Sequence, residues 1–462
     1  MNELNPKLPE ETSLKPYRSG LYFGFFNGMN WMICLGTPMV MMAGQLGAST
    51  FQVGLAYAAV FLTLPIQVFA TAFLPRFGYK NQMMFAWRAR SMSLFIPFGL
   101  ALAAPVTPAP WMANLLVISV YLFCILRGLG SCCYVPWFYA LLPEQIRGRY
   151  FASDQLVSGF GGVFTLLLCA GLFKLLPGWT AYTVIYAMAI MGAVLSNYFL
   201  SKLPDVPKPA GTSLRRVIQQ TPQLCFTPGP FRYYMLLTLV QSLAWSSFAP
   251  FTAYYLKFET PIKVDSIMLF TACQYLGGIA GALFIRNRID RFGTRPVFTT
   301  SLVVSTLAIL FWLVMISGFH GLLIAVPLCS FVAGLSASLW ATAHLKYLPQ
   351  VCPVEHRALA TSVQSAVVGF LGGLSPMIIG FFIKHTGNQP GMDAGRFAIY
   401  FGIAALLQLS LLIPFARLNE TAPETASLFS DALLLRPFRY FGSLINFIDT
   451  PDKAKKDDSK EG

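Results

Sequence analysis

The chain has 462 residues, 55% of them hydrophobic and only 11% charged, with a formal net charge of +14. Soluble domains carry roughly 25% charged residues, so this composition excludes a water-soluble globular protein and points to a polytopic membrane protein. The basic residues lie in short loops between apolar runs, which argues for membrane topology and against a nucleic-acid surface.

The first 17 residues are polar and include Glu3, Glu10 and Glu11. The apolar segment from Arg18 to Ala43 exceeds the roughly 7–15 residues of a signal-peptide core, so it is expected to persist as a membrane span. A span needs about 20 apolar residues. Twelve are expected, at 19–43, 51–74, 83–104, 112–141, 152–174, 179–200, 232–256, 265–285, 296–317, 321–346, 359–383 and 396–416. Several are too long for barrel strands and do not alternate. Helices are the other way to satisfy a backbone in lipid, so the expected fold class is an all-α polytopic membrane protein with twelve transmembrane helices.

The longest internal polar segment, 201–231, contains Pro204, Pro207, Pro209, Pro222, Pro228 and Pro230. It divides the spans into a six-helix bundle at 18–200 and another at 232–416. Within it, residues 213–220 (SLRRVIQQ) are expected to form a short surface helix. Residues 1–17 and 417–462 form tails. In the second tail Phe438, Phe441, Ile445 and Ile448 recur at helical spacing beside Arg436 and Arg439, the pattern of an interfacial helix. The final DKAKKDDSKEG is expected to be disordered.

Of the 33 Lys and Arg residues, 25 fall on one side of this topology, 5 on the other and 3 inside spans. The positive-inside rule then places both termini in the cytoplasm, which an even number of spans permits. The expected location is a plasma or inner membrane. The nine cysteines lie mostly inside apolar runs and fit packing roles.

Two loops repeat. Residues 71–82 read TAFLPRFGYKNQ and residues 286–297 read RNRIDRFGTRPV. A second pair is PEQIRGRYFAS (143–153) and PVEHRALATS (353–362). The offsets, 215 and 210, are nearly equal, as duplicated halves require, and repeats of this kind are typical of transporters.

Twelve spans, the six-plus-six division and these loops resemble the major facilitator superfamily of secondary transporters. Its loop motif runs Gly-x-x-x-Asp-Arg-x-Gly-Arg-Arg/Lys. Asp290, Arg291, Gly293 and Arg295 match it, with Arg286 at the leading Gly position and Thr294 at the first cation position. In the first half Arg76, Gly78 and Lys80 match, whereas Thr71, Pro75 and Tyr79 do not. The resemblance, over residues 18–416, implies two six-helix bundles around a central cavity that opens alternately to each side. It also implies gating roles for these loop residues and for Glu144, Arg147, Glu355 and Arg357. The missing acid at Pro75 makes the expected gate asymmetric. Gly24/Gly28, Gly277/Gly281, Gly369/Gly373 and the cluster Gly159, Gly161 and Gly162 would give smooth helix faces. The resemblance places several of them between the halves.

Charge inside a span is costly, so Arg127 in YLFCILRGLGSCCYVPW is the first candidate substrate residue. The superfamily's antiporters carry Arg-x-x-x-Gly in this span. Here Ser131 stands at the Gly position, which disfavours a proton-driven drug exporter. Arg88 and Arg90, about 9 and 12 Å into the third span, are close enough to the cytoplasmic surface to snorkel there, a reading favoured over a substrate role. No Asp or Glu lies near a mid-span; Asp154 and Asp265 lie near span ends, which disfavours coupling through a buried acid and leaves Asp154 as the nearest candidate. His344 could titrate near neutral pH.

Amides and aromatics dot the spans expected to line the cavity. They are Asn27, Asn30 and Trp31, then Tyr134 and Gln155, then Gln241 and Trp245, then Gln274 and Tyr275, and finally Trp340 and Gln364. This set suits an organic anion or a sugar- or polyol-like solute. The expected function is secondary active or facilitative transport of such a small molecule by a monomer in the lipid bilayer, without nucleic acid, cofactor, metal or catalysis. No G-x-x-x-x-G-K-[ST] phosphate loop is present. A lipid or amphiphile flippase on the same fold is one alternative. A polytopic membrane enzyme or sensor is the other, and it would need a cluster of acids or histidines; His320, His344, His356 and His385 are scattered.

Overall fold

The computed structural model describes residues 13–48, 50–106, 109–209, 214–248, 251–252, 255–256, 260, 264–317, 324–385 and 393–420. Among these residues every expected span range contains helix and no strand occurs. Eight helices among the described residues are long and apolar enough to cross a membrane. The interfacial helix expected at 427–449 and His320 fall outside the described residues.

The first span is broken. Helix α1 (Arg18–Leu35) ends at Gly36, and α2 (Thr37–Gln45) begins with Pro38 in its first turn. Proline has no N–H to continue the ladder, so the chain restarts there. The second span divides similarly around Pro65 into α3 (Thr50–Leu62), α4 (Ile66–Ala70) and α5 (Leu74–Phe77). The third comprises α6 (Tyr79–Met92) and α7 (Phe95–Ala103). The fourth to sixth are continuous: α8 (Trp111–Leu141), α9 (Arg147–Leu175) and α10 (Trp179–Ser201).

A linker helix, α11 (Leu214–Phe226), precedes α12 (Pro230–Trp245) and α13 (Val264–Ile285). A short α14 (Ile289–Phe292) then leads into α15 (Arg295–Ile316). The described chain closes with α16 (Val326–Val351), α17 (Arg357–His385) and α18 (Asp393–Ala416).

Contacts fall into two sets. Helix α1 packs on α9 and α10, and α6 on α8; α13 packs on α16, and α15 on α16 and α18. Across the sets, α9 meets α13 and α16, while α17 meets α3, α4 and α8. Outward-facing residues such as Phe85, Leu167, Met191 and Leu406 are exposed, as a surface immersed in lipid tails requires.

The glycines divide between two jobs. Gly369 and Gly373 face Leu64 and Phe61, and Gly159 faces Ile279, so these three lie where the sets meet. Gly24 and Gly28 instead face Asp154 and Ser158 of α9, and Gly277 and Gly281 face α16 backbone. Those pairs tighten helices within one set.

Candidate functional site

The first set encloses a cationic cluster. On α1 the Asn27 Oδ1 accepts Nη2–H of Arg90 at 2.8 Å and the indole N–H of Trp87 at 3.2 Å. The Arg90 guanidinium lies 4.5 Å from the Trp87 ring centroid and 4.7 Å from that of Phe123. Such stacking offsets part of its lost hydration. Arg90 is only 2% exposed. The expectation that it snorkels to the surface is therefore corrected: α6 turns Arg90 inward, two residues from an exposed Arg88.

On α8 the Arg127 guanidinium lies 4.8 Å from the Trp31 ring centroid of α1. It is half-buried, and the charges of Arg127 and Arg90 repel each other. Neither pairs with a carboxylate among the described residues. The nearby acid, Asp154 on α9, instead accepts the Tyr134 hydroxyl at 2.7 Å. Asn30 is turned away: it is fully buried near Gly192 of α10, and its side chain donates to the Phe26 carbonyl.

The second set brings together other candidates. His344 Nδ1 and the Tyr234 hydroxyl are 2.7 Å apart, and Gln364 Nε2 donates to Thr238 Oγ1 at 3.1 Å. Trp340 packs against Phe298 and Phe415, and Trp245 stacks on Phe248. Tyr275 reaches across to the Met32 sulfur of α1 at 3.7 Å. Gln155, Gln241 and Gln274 are half-buried and hydrogen-bond to no described side chain.

The repeated loops share a geometry. Gly78 and Gly293 have φ of 78° and 83° and end the short helices α5 and α14. Each Arg-Phe-Gly therefore makes the same left-handed turn, which glycine adopts at no steric cost.

The surroundings of the two loops differ. The Asp290 carboxylate accepts the backbone N–H groups of Gly148 and Arg149 at 2.9 and 2.7 Å and pairs with Lys346 at 2.8 Å. It caps the start of α9 from the other set. Gly148 faces Ile289 and Asp290 so closely that no side chain fits. Glu420 plays the same capping part for α15, accepting Thr294 N–H at 2.8 Å and Arg295 N–H at 3.2 Å. Only the backbone of Arg291 is described.

Among the described residues no carboxylate serves the first loop. Lys80 donates to the Leu203 carbonyl at 2.6 Å, and Lys208 to the Arg76 carbonyl at 3.1 Å. Here α11 covers the seam instead. It is longer than the expected 213–220, and its fully buried Val217 packs with Val68, Leu359, Val363 and Ala366. Between the seams, Arg147 and Arg357 lie 3.8 and 4.7 Å from the Tyr139 ring centroid. Glu144 and Glu355 are exposed.

Sequence reasoning did not single out Gly148, Tyr139 or Glu420, and it set Arg90 toward the cytoplasmic surface rather than beside Asn27 and Trp87. The Asp290 match to the loop motif was the one signal that led toward Gly148.

Comparison with known proteins agrees with this architecture. The sequence model described as Major Facilitator Superfamily matches residues 234–447. The match covers 214 of the 462 residues, so it is the C-terminal half that resembles this superfamily in sequence. It is similar to the proton:xylose symporter XylE bound to 6-bromo-6-deoxy-D-glucose, with 15% identity, a TM-score of 0.63 and coverage of 91% of this chain and 98% of XylE. The outward-facing bacterial homologue of the iron transporter ferroportin gives 14% identity, a TM-score of 0.65, and coverage of 89% and 100%. The Escherichia coli fucose:proton symporter FucP gives 14% identity, a TM-score of 0.62, and coverage of 86% and 98%. At these identities the likeness is one of fold. No curated protein sequence matches the chain. The eight described helices that are long and apolar enough to cross a membrane fit that shared fold.

Proposed function

We propose that the chain carries a small polar organic anion by alternating access, with Arg127 as the primary anion-binding group. One observation carries this reading: Arg127 and Arg90 lie inside the spans without carboxylate partners among the described residues. An uncompensated buried charge is costly, and an incoming anion removes that cost. Arg90, braced by Asn27, adds positive potential behind Arg127. The half-buried Gln155, Gln241 and Gln274 would hydrogen-bond the polar body of the solute.

The two bundles, 18–200 and 232–416, rock about the Gly159/Ile279 and Gly369/Leu64 contacts. Both termini and the loops around Asp290 and Arg76 face the cytoplasm, following the excess of cations on that side. The chain acts as a monomer in a plasma or inner membrane. Breaking the Asp290–Gly148 contact and undocking α11 opens the inward face.

A thermal-shift screen on the purified chain tests the substrate class. Small carboxylates and phosphorylated solutes should raise the Tm of wild type and not of Arg127→Gln. Stabilisation by sugars or polyols alone would overturn the anion reading in favour of a neutral solute. Selective stabilisation by lipid headgroups would instead favour a flippase.

A further inference from the structure

A groove of about 430 Å³ runs along the outward side of α6 and ends at Ser201 of α10. From α6 it is lined by Lys80, Asn81, Phe85, Arg88 and Met92. Four of these, Asn81, Phe85, Arg88 and Met92, recur at helical spacing and are all exposed. Phe85 and Met92 are 66% and 68% exposed, as lipid-facing residues are. The Asn197 amide of α10 donates to Ser91 Oγ of α6 at 3.0 Å and holds the two helices side by side.

Arg88 is the anomaly on this surface. Arg90, two residues on, has the Asn27 acceptor and two ring faces. Arg88 makes no hydrogen bond, ion pair or ring contact among the described residues. In water an exposed cation needs no partner. About 9 Å into a span, on a face immersed in lipid, it does. Side chains on a helix lean toward its N-terminus, so Arg88 leans toward the loop that carries Arg76 and Lys80.

We propose that this groove binds one anionic phospholipid from the leaflet at the cation-rich face. The lipid phosphate sits on Arg88. Its polar headgroup lies toward Lys80, Asn81 and Ser201, and its acyl chains follow Met92 and the exposed Val194 and Met191 of α10. Lys80 spends one N–H on the Leu203 carbonyl at 2.6 Å, and an ammonium has two more to offer.

The charges around the groove select an anion over a zwitterion. Neither α6 nor α10 carries an Asp or Glu. Lys202, at the end of α10, adds a third cation and lies 4.2 Å from the Tyr198 ring centroid. Asp205 is the nearest acid in sequence; it accepts the Val206 N–H at 2.9 Å and pairs with no cation among the described residues. Basic pockets between membrane helices hold anionic headgroups by this charge complementarity. The apolar half of the lining favours a lipid over a free phosphate.

Native mass spectrometry tests this on the full chain released from nanodiscs that hold equal amounts of phosphatidylglycerol and phosphatidylcholine with identical acyl chains. Wild type should keep one phosphatidylglycerol after phosphatidylcholine has been stripped. Arg88→Gln should lower that retention roughly 5-fold, the effect of about 1 kcal/mol per cation, and Arg88→Gln with Lys80→Gln should abolish it. Lys174→Gln, which removes an exposed cation at the far end of α9, should leave retention unchanged.

Equal retention by wild type and the double variant would overturn the proposal, as would equal retention of the two lipids by wild type. Glycerophosphoglycerol, the same headgroup without acyl chains, should not displace the lipid at equal concentration; displacement would show a phosphate site and no lipid site. Arg127→Gln should keep the lipid. Its loss there, with retention in the double variant, would place the lipid in the central site and overturn the groove. The anion reading fails separately, because its thermal shifts depend on Arg127 and not on Arg88.

Discussion

Asp290 and Gly148 join the two helix sets through a single hydrogen bond of 2.9 Å from the Gly148 N–H to the Asp290 carboxylate. The same carboxylate holds Arg149 N–H and Lys346. A carboxylate at a helix N-terminus satisfies orphan donors and complements the helix dipole. The contact therefore has a defined strength and can be removed without touching the cationic cluster.

Replacing Asp290 by Asn keeps the shape and removes the charge. Hydrogen bonds to charged groups contribute about 1.5–3 kcal/mol, so Asp290→Asn should raise the open population roughly 10-fold or more. Reduced crosslinking between cysteines placed on α9 and α14 reports this. Unchanged crosslinking would leave the loop as a topology signal only.

Gly148 tests the same contact from the other side. A methyl group there collides with Ile289 and Asp290. Gly148→Ala should loosen the closed state to a similar extent, and the double substitution with Asp290→Asn should add little, because both remove one interaction. Additive effects would place Gly148 outside the lock.

The opposite seam is held by apolar burial. Val217 is fully buried under α11, and burying such a side chain contributes about 1.5–3 kcal/mol. Val217→Asp should undock the linker helix and raise the maleimide labelling rate of Cys225, a half-buried thiol on that helix. Cys352, buried in the loop before α17, should stay unlabelled, because burial pushes its thiol up to about 12. An unchanged Cys225 rate would show that Val217 does not hold α11 down.

Asn27 supports the cationic cluster. Asn27→Leu removes the acceptor used by both Arg90 and Trp87 and leaves a buried charge short of a partner. The expected cost is about 1–3 kcal/mol in stability, read as a lower Tm in detergent. Leu at this position with unchanged Tm would mean that Arg90 finds another acceptor.

The spans were legible because length and apolar composition leave a membrane chain few other structures. The breaks at Pro38 and Pro65 are also written in the sequence, although a window of hydropathy passes over them. Asp290 was legible through its motif, but its target was not, since Gly148 lies 142 residues away. Arg90 was misread because distance along a span does not say which face a side chain takes; only packing of α6 on α8 turns it inward. The docking of α11 was hidden for the same reason: its partners, Val68 and Val363, belong to different sets.

The central claim is that Arg127 captures an anion for transport. It is tested most directly by uptake into proteoliposomes of the small organic anion that most raises the wild-type Tm, with Arg127→Gln in parallel. The account predicts saturable uptake by wild type and its loss in Arg127→Gln at equal reconstitution. Equal uptake by both proteins would contradict it.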